Sequence, residues 1–153
     1  MKKNIPYSAI LTITLVVFLA GCTTTQIAIE PFDKSVTVER DFDDVWTTLV
    51  RFMSTNDISI STIEKESGLI SLRGENLTKD LIQKLCDGQA AFLWTIVGGG
   101  ASGSIVVMDD DGFVTVNVNA RFTTSSTYNG PIVTNGCNST GYFEKSVLAS
   151  ISG

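Results

Sequence analysis

The sequence predicts an α+β fold: a single antiparallel sheet with two main helices packed on one face, in the order β-α-β-β-insert-β-β-α. Three patterns predict it. Val114, Val116, Val118, Ala120 and Phe122 alternate with the polar Thr115, Asn117, Asn119 and Arg121, the period of a strand with one apolar face. Phe42, Val45, Trp46, Leu49, Phe52 and Met53 recur at spacings of three and four, which makes one apolar face of a helix. Between these lie two short β-rich runs, Ile58 to Ile63 and Leu69 to Arg73, joined by the turn residues Glu64-Lys-Glu-Ser-Gly68 as a hairpin.

The remaining elements follow in chain order. Val36 to Val38 is a short first strand. Asp41 can cap the first helix, its acidic neighbours favour the positive end of the helix dipole, and Asn56-Asp57 ends it. Leu77, Leu81 and Leu85 are spaced for a short helix with Asn76 as its cap. Ala90 to Val97 and Ser104 to Met108 read as two strands flanking a glycine-rich connection. Asp109-Asp-Asp-Gly112 is a turn before the alternating strand. Thr123 to Asn138 reads as a polar loop, and a last helix starts at Ser139 or Thr140 with Phe143, Val147, Leu148 and Ile151 on one face.

Ahead of this domain stands a different kind of segment. Lys2 and Lys3 precede an apolar run from Ala9 to Ala20, whose twelve residues rise only about 18 Å as a helix, short of a hydrocarbon core of roughly 30 Å. Charge followed by a short apolar run is the layout of a secretory signal. The residues Leu19-Ala20-Gly21-Cys22 that follow resemble the lipobox of bacterial lipoproteins. That resemblance implies cleavage before Cys22, a lipidated Cys22 and attachment to a membrane through its acyl chains. An ordinary cleaved signal with an incidental cysteine and an uncleaved anchor helix are the alternatives. Thr23 stands where an aspartate usually retains Gram-negative lipoproteins at the inner membrane. The resemblance therefore implies an outer-membrane lipoprotein facing the periplasm. The expected organisation is a signal peptide over 1–21, a tether over 22–35 and one domain over 36–153.

Losing residues 1–21 removes both leader lysines and leaves 9 basic against 16 acidic residues, a net charge of −7 where the whole chain has −5. This acidic balance argues against nucleic acid as a partner, because phosphate contacts need a basic face. It also leaves the acyl chains, not the surface charge, to hold the chain on an anionic membrane. With Cys22 assigned to lipid, Cys86 and Cys137 form an even pair in an oxidising compartment and are expected as a disulfide, two separate buried thiols being the alternative. No C-x-x-C motif points to redox work.

Chemistry finds little footing elsewhere. The chain has no histidine, so the commonest general base and zinc ligand are missing, and no G-x-S-x-G elbow occurs. Gly98-Gly-Gly-Ala-Ser-Gly103 fits G-x-G-x-x-G, yet no helix or acidic partner follows at the required place, which argues for a flexible β-connection. The run Ala90 to Met108 carries no charge, but its glycines and serines interrupt it as a membrane span. The aspartate triplet lacks calcium-loop spacing. Asn76-Leu-Thr78 and Asn138-Ser-Thr140 match the glycan acceptor pattern and are read as helix starts. Carboxylate pairs drawn from Asp43, Glu64, Glu66 and Glu75 are the one route left to hydrolysis. Trp46 is expected in the core; Trp94 is either core or part of a binding patch.

Asp41 to Arg73, with Val45-Trp46 on a helix and two strands joined at Glu66-Ser-Gly68-Leu-Ile70, resembles the repeated module of BamC-like envelope lipoproteins. The ending Cys137-Asn-Ser-Thr-Gly141 followed by Phe143-Glu-Lys is similar to that of small outer-membrane lipoproteins. The anchor with its short tether, the acidic body and the missing catalytic set lead to the expectation of a non-enzymatic accessory or scaffold subunit of an envelope complex, with an unidentified protein partner and neither cofactor nor metal. A carrier of a small apolar or lipid-like ligand between helix and sheet is the second expectation, and a carboxylate hydrolase the third. Replacing Cys22 by Ala is expected to abolish acyl labelling and release the folded domain from the membrane fraction. Membrane association that survives the substitution would refute the lipobox reading.

Overall fold

The computed structural model describes residues 30–88, 90 and 93–152. The leader, Cys22 and the first part of the tether lie outside the described residues. The elements are β1 (Ser35–Val38), α1 (Phe42–Thr55), β2 (Ile60–Glu64), β3 (Leu69–Leu77), α2 (Lys79–Leu85), β4 (Thr95–Asp110), β5 (Phe113–Thr127), β6 (Val133–Cys137) and α3 (Tyr142–Ser152). All strand pairs are antiparallel, in the order β1-β5-β4-β3-β2, and β6 joins the same side of β5 as β1, further along it. The predicted α+β class with one antiparallel sheet is the observed one.

Local chemistry sets each element. Asp41 caps α1, its carboxylate accepting the Asp43 N–H at 2.8 Å, and Asp43 and Asp44 occupy the first turn. The helix ends where Asp57 enters the left-handed region and the Ile58 N–H reaches the Met53 carbonyl. Val45, Leu49 and Met53 are fully buried and Trp46 nearly so, stacked on Phe42. Every second residue of β5 from Val114 to Phe122, Ala120 excepted, is buried, and Thr124 and Ser126 continue that row. On this face α1 and α3 cover Ile70, Ile105, Val107, Val114, Val116 and Val118. A smaller core of Ile82, Leu85, Ile96 and Phe122 lies under α2, and Phe143 touches both clusters. Arg40 ties the two main helices, its guanidinium holding Asp44 at 2.7 Å and donating to the Ile151 carbonyl at 2.7 Å.

Five expectations need correction. The glycine-rich stretch is no connection: β4 runs unbroken from Thr95 to Asp110 and is paired on both sides. A Cβ at Gly99 would strike the Thr123 carbonyl and come within 2.7 Å of Ile82 Cγ1, so the strand is bare where α2 presses on it. The polar loop over 123–138 is instead the end of β5, a turn, and β6, because β-branched Thr suits strands and the Thr and Ser side chains here alternate between two faces. Thr78, not Asn76, caps α2; Asn76 has φ +57° and bends the chain into the helix. Leu81 points outward, Ile82 and Leu85 inward, and α3 starts at Tyr142 after Gly141 with φ +80°.

The Asp109–Gly112 turn is as expected, with Asp111 and Gly112 both at positive φ, the conformation of a two-residue hairpin loop. Gly99→Ala is expected to destabilise the domain by about 1–3 kcal/mol in urea unfolding, because backbone stands in the way. Gly136→Ala, where an added Cβ meets nothing within 4 Å, should stay within about 0.5 kcal/mol of the parent.

Candidate functional site

Among the described residues the helices leave the other face of the sheet uncovered, and the odd-numbered residues of β5 line it. Antiparallel partners share a face, so register alone places neighbours. Arg73 of β3 lies opposite Ser102 of β4, and Ser102 lies opposite Arg121 of β5, which puts two guanidinium groups on either side of one hydroxyl. Around this row is an open depression of about 740 Å³, bordered by Arg73, Glu75, Arg121 and Thr123 and floored by Gly100 and Ser102. Its depth comes from β4, which offers hydrogen or a hydroxymethyl group where its neighbours carry long side chains.

The charges here are unequal. Arg73 Nε donates to Glu75 at 2.9 Å. Arg121 makes no ion pair or side-chain hydrogen bond among the described residues. Guanidinium groups suit carboxylates and phosphates because they present two parallel donors. Hydroxyl pairs stiffen the same face, Thr37 with Thr115 at 2.8 Å and Ser125 with Thr134 at 3.0 Å.

The expected site residues fall in separate places. Cys86, at the end of α2, and Cys137, at the end of β6, come to disulfide-bonding distance with Cα atoms 5.8 Å apart. Around them the Asp87 carboxylate accepts from the Asn138 backbone at 2.8 Å and its side chain at 3.0 Å, so Asn138-Ser-Thr140 serves as the junction between β6 and α3. Ser139 Oγ accepts the Gly141 N–H and donates to Glu144, whose other carboxylate oxygen is buried without a partner. The candidate acids are dispersed: Asp43 pairs with Lys65 at 2.8 Å, Glu75 with Arg73, Glu64 accepts from Ser67, and Glu66 is exposed. Among the described residues no three of Cys, Asp and Glu gather as a metal site. Trp94 is half-buried beside Tyr128 with ring centroids 6.5 Å apart, outside both cores.

Of the open-face residues, the polar row Thr115 to Arg121 was legible in the alternation. The Arg73–Ser102–Arg121 alignment was not, since it needs the β3–β4 register across the glycine stretch. No protein-family model matches the chain, and no curated protein is significantly similar to it.

Closing the chain between Cys86 and Cys137, 51 residues apart, restricts the unfolded state by about 4 kcal/mol in chain-entropy terms. Blocking thiols without reductant is expected to leave both cysteines unmodified, and Cys86→Ser with Cys137→Ser should lower stability by about 2–5 kcal/mol. Ready labelling of either cysteine in the folded protein would refute the pairing.

Proposed function

We propose that the chain is a lipid-anchored envelope protein, held through acylated Cys22 at the outer membrane and facing the periplasm, where it serves as a non-enzymatic accessory or scaffold subunit. The observation that carries this reading is the uncovered sheet face with Arg73 and Arg121 flanking Ser102. A chain with a net charge of −7 after loss of residues 1–21, whose Arg121 has no ion pair among the described residues and stands over a bare strip of sheet, is arranged to receive a carboxylate-bearing segment of a protein partner. The lipobox-like Leu19-Ala20-Gly21-Cys22 and the BamC-like layout of residues 41–73 support the envelope setting.

Cargo between helix and sheet is the weaker alternative. That interface is filled by Leu49, Met53, Ile105, Val116 and Ile151, all essentially without exposure, whereas the depression lies on the opposite face.

A photo-crosslinking side chain placed at Ser102 in intact cells should yield a discrete protein adduct, and one at Glu66, on the distant hairpin turn, should not. Arg121→Glu is expected to weaken that adduct by about tenfold, the effect of losing roughly 1.4 kcal/mol. Recovery of uncrosslinked monomer alone, or an adduct indifferent to Arg121, would overturn the reading.

A further inference from the structure

One end of the sheet combines exposed apolar side chains with segments that carry no charge. There β4 begins, β5 ends and β6 begins, with Thr95 opposite Thr127 and Val133 opposite Ser126. Leu93 is 60% exposed, Tyr128 47% and Ile132 64%, with Trp94 half-buried against Tyr128. Leu93 is held at φ +74°, a left-handed conformation that a leucine adopts only under constraint, and its side chain faces solvent.

Charge is distributed unevenly. Residues 88–108 and 122–143, the segments that build this end, contain no Asp, Glu, Lys or Arg. At the opposite end, about 50 Å away along the fifteen-residue β5, the hairpin carries Asp109, Asp110 and Asp111 in succession. That end also exposes Met108 and Phe113, but with three carboxylates between them.

The chain enters from the uncharged side. Because β1 is antiparallel to β5, with Ser35 opposite Asn117 and Val38 opposite Val114, the residues before Ser35 approach from the direction of Thr127. Phe32 sits against Gly141, where an added Cβ would come within 2.7 Å of its ring, and Lys34 and Lys145 lie over that ring. The ten residues from Cys22 to Phe32 reach at most about 35 Å, enough to bring the anchor level with this end.

We infer that the end formed by Leu93, Trp94, Tyr128, Ile132 and Val133 is a membrane-contacting tip, which seats the domain on the lipid surface to which Cys22 tethers it. The inference rests on the proposed acylation of Cys22. Tryptophan and tyrosine favour the headgroup level, where the ring is partly in hydrocarbon and the polar atom stays wet, and leucine and isoleucine add apolar area beneath them. An anionic leaflet repels the acidic body but exerts no such force on an uncharged tip. Lipid tether and tip act together, each raising the effective concentration of the other at the surface.

The test uses tryptophan emission from the anchored protein reconstituted in phosphatidylethanolamine and phosphatidylglycerol vesicles, with and without brominated acyl chains. Trp46 and Trp94 are the only tryptophans, and Trp46 is buried in the core, so the difference between the parent and Trp94→Phe isolates the tip signal. Brominated lipid is expected to remove about half or more of that signal, as for an interfacial ring. Leu93→Glu combined with Ile132→Glu, both at exposed positions, should restore most of it. A tryptophan introduced by Phe113→Trp at the acidic end should remain unquenched.

Trp94 emission indifferent to bromine while the protein floats with the vesicles would overturn the inference and leave the tip to a protein partner. Equal quenching at position 113 would also overturn it, because the domain would then have no fixed end on the membrane. The anchor is read separately, by the mass of the Cys22 peptide. If that peptide carries no acyl chain, the proposed acylation fails, and the same quenching is measured on chains coupled through the Cys22 thiol to a maleimide lipid. In that preparation an unquenched Trp94 again counts against the tip.

Discussion

The middle strand β4 has to be bare where α2 crosses it, and much of the molecule depends on that requirement. Ile82 packs into the space a side chain at Gly99 would occupy, while the Thr123 backbone approaches from β5. Any larger residue would lift α2 away and open the small core of Ile82, Leu85, Ile96 and Phe122. Close seating of α2 also carries Cys86 to within reach of Cys137 at the end of β6. Side chains missing from one face of β4 are matched by small ones on the other, where Gly100 and Ser102 leave a depression between Arg73 and Arg121. One short stretch of sequence thus sets the position of a helix, the reach of a covalent link and the shape of the open face.

That stretch is also where local reasoning about sequence fails. Glycine is depleted in strands because it loses the most conformational entropy and contributes no packing, so a run such as Gly98 to Gly100 is read as a break. Here tertiary contacts reverse the preference: β3 and β5 pair with β4 on both sides, and α2 occupies the vacated space. Thr123 to Asn138 misleads for a related reason. Its strands bury Thr124 and Ser126 in place of aliphatic groups, so the alternation is present but nearly invisible on a hydrophobicity scale. By contrast α1, the β2–β3 hairpin and the first half of β5 are legible, because apolar spacing, capping and turn residues agree with one another.

The site divides in the same way. Arg121 belongs to a polar row visible in the alternation of β5, and Cys86 and Cys137 are left as an even pair if Cys22 carries lipid. Arg73 could not be joined to Arg121, because two residues far apart in sequence meet only through the register of a third strand. The proposed anchor is the reverse case. Its signal lies wholly in residue order around Cys22, outside the described residues, and no packing argument reaches it.

The proposed tip and the open face together imply one orientation. In the proposed arrangement the uncharged end of the sheet rests on the lipid, so β4 and β5 stand near the membrane normal with the aspartate hairpin farthest from the anionic surface. A sheet standing on its end presents its uncovered face sideways. The Arg73–Ser102–Arg121 row then lies partway up the strands, about 20–25 Å above the Thr95–Thr127 pair at the rise of an antiparallel strand. A partner meeting that row is best placed if it rises from the same leaflet, since two tethered proteins search a layer instead of a volume and a modest polar contact gains from the higher effective concentration. A shallow surface of hydroxyls, glycines and arginines, weak as a trap for a freely diffusing ligand, is adequate for a neighbour already confined beside it.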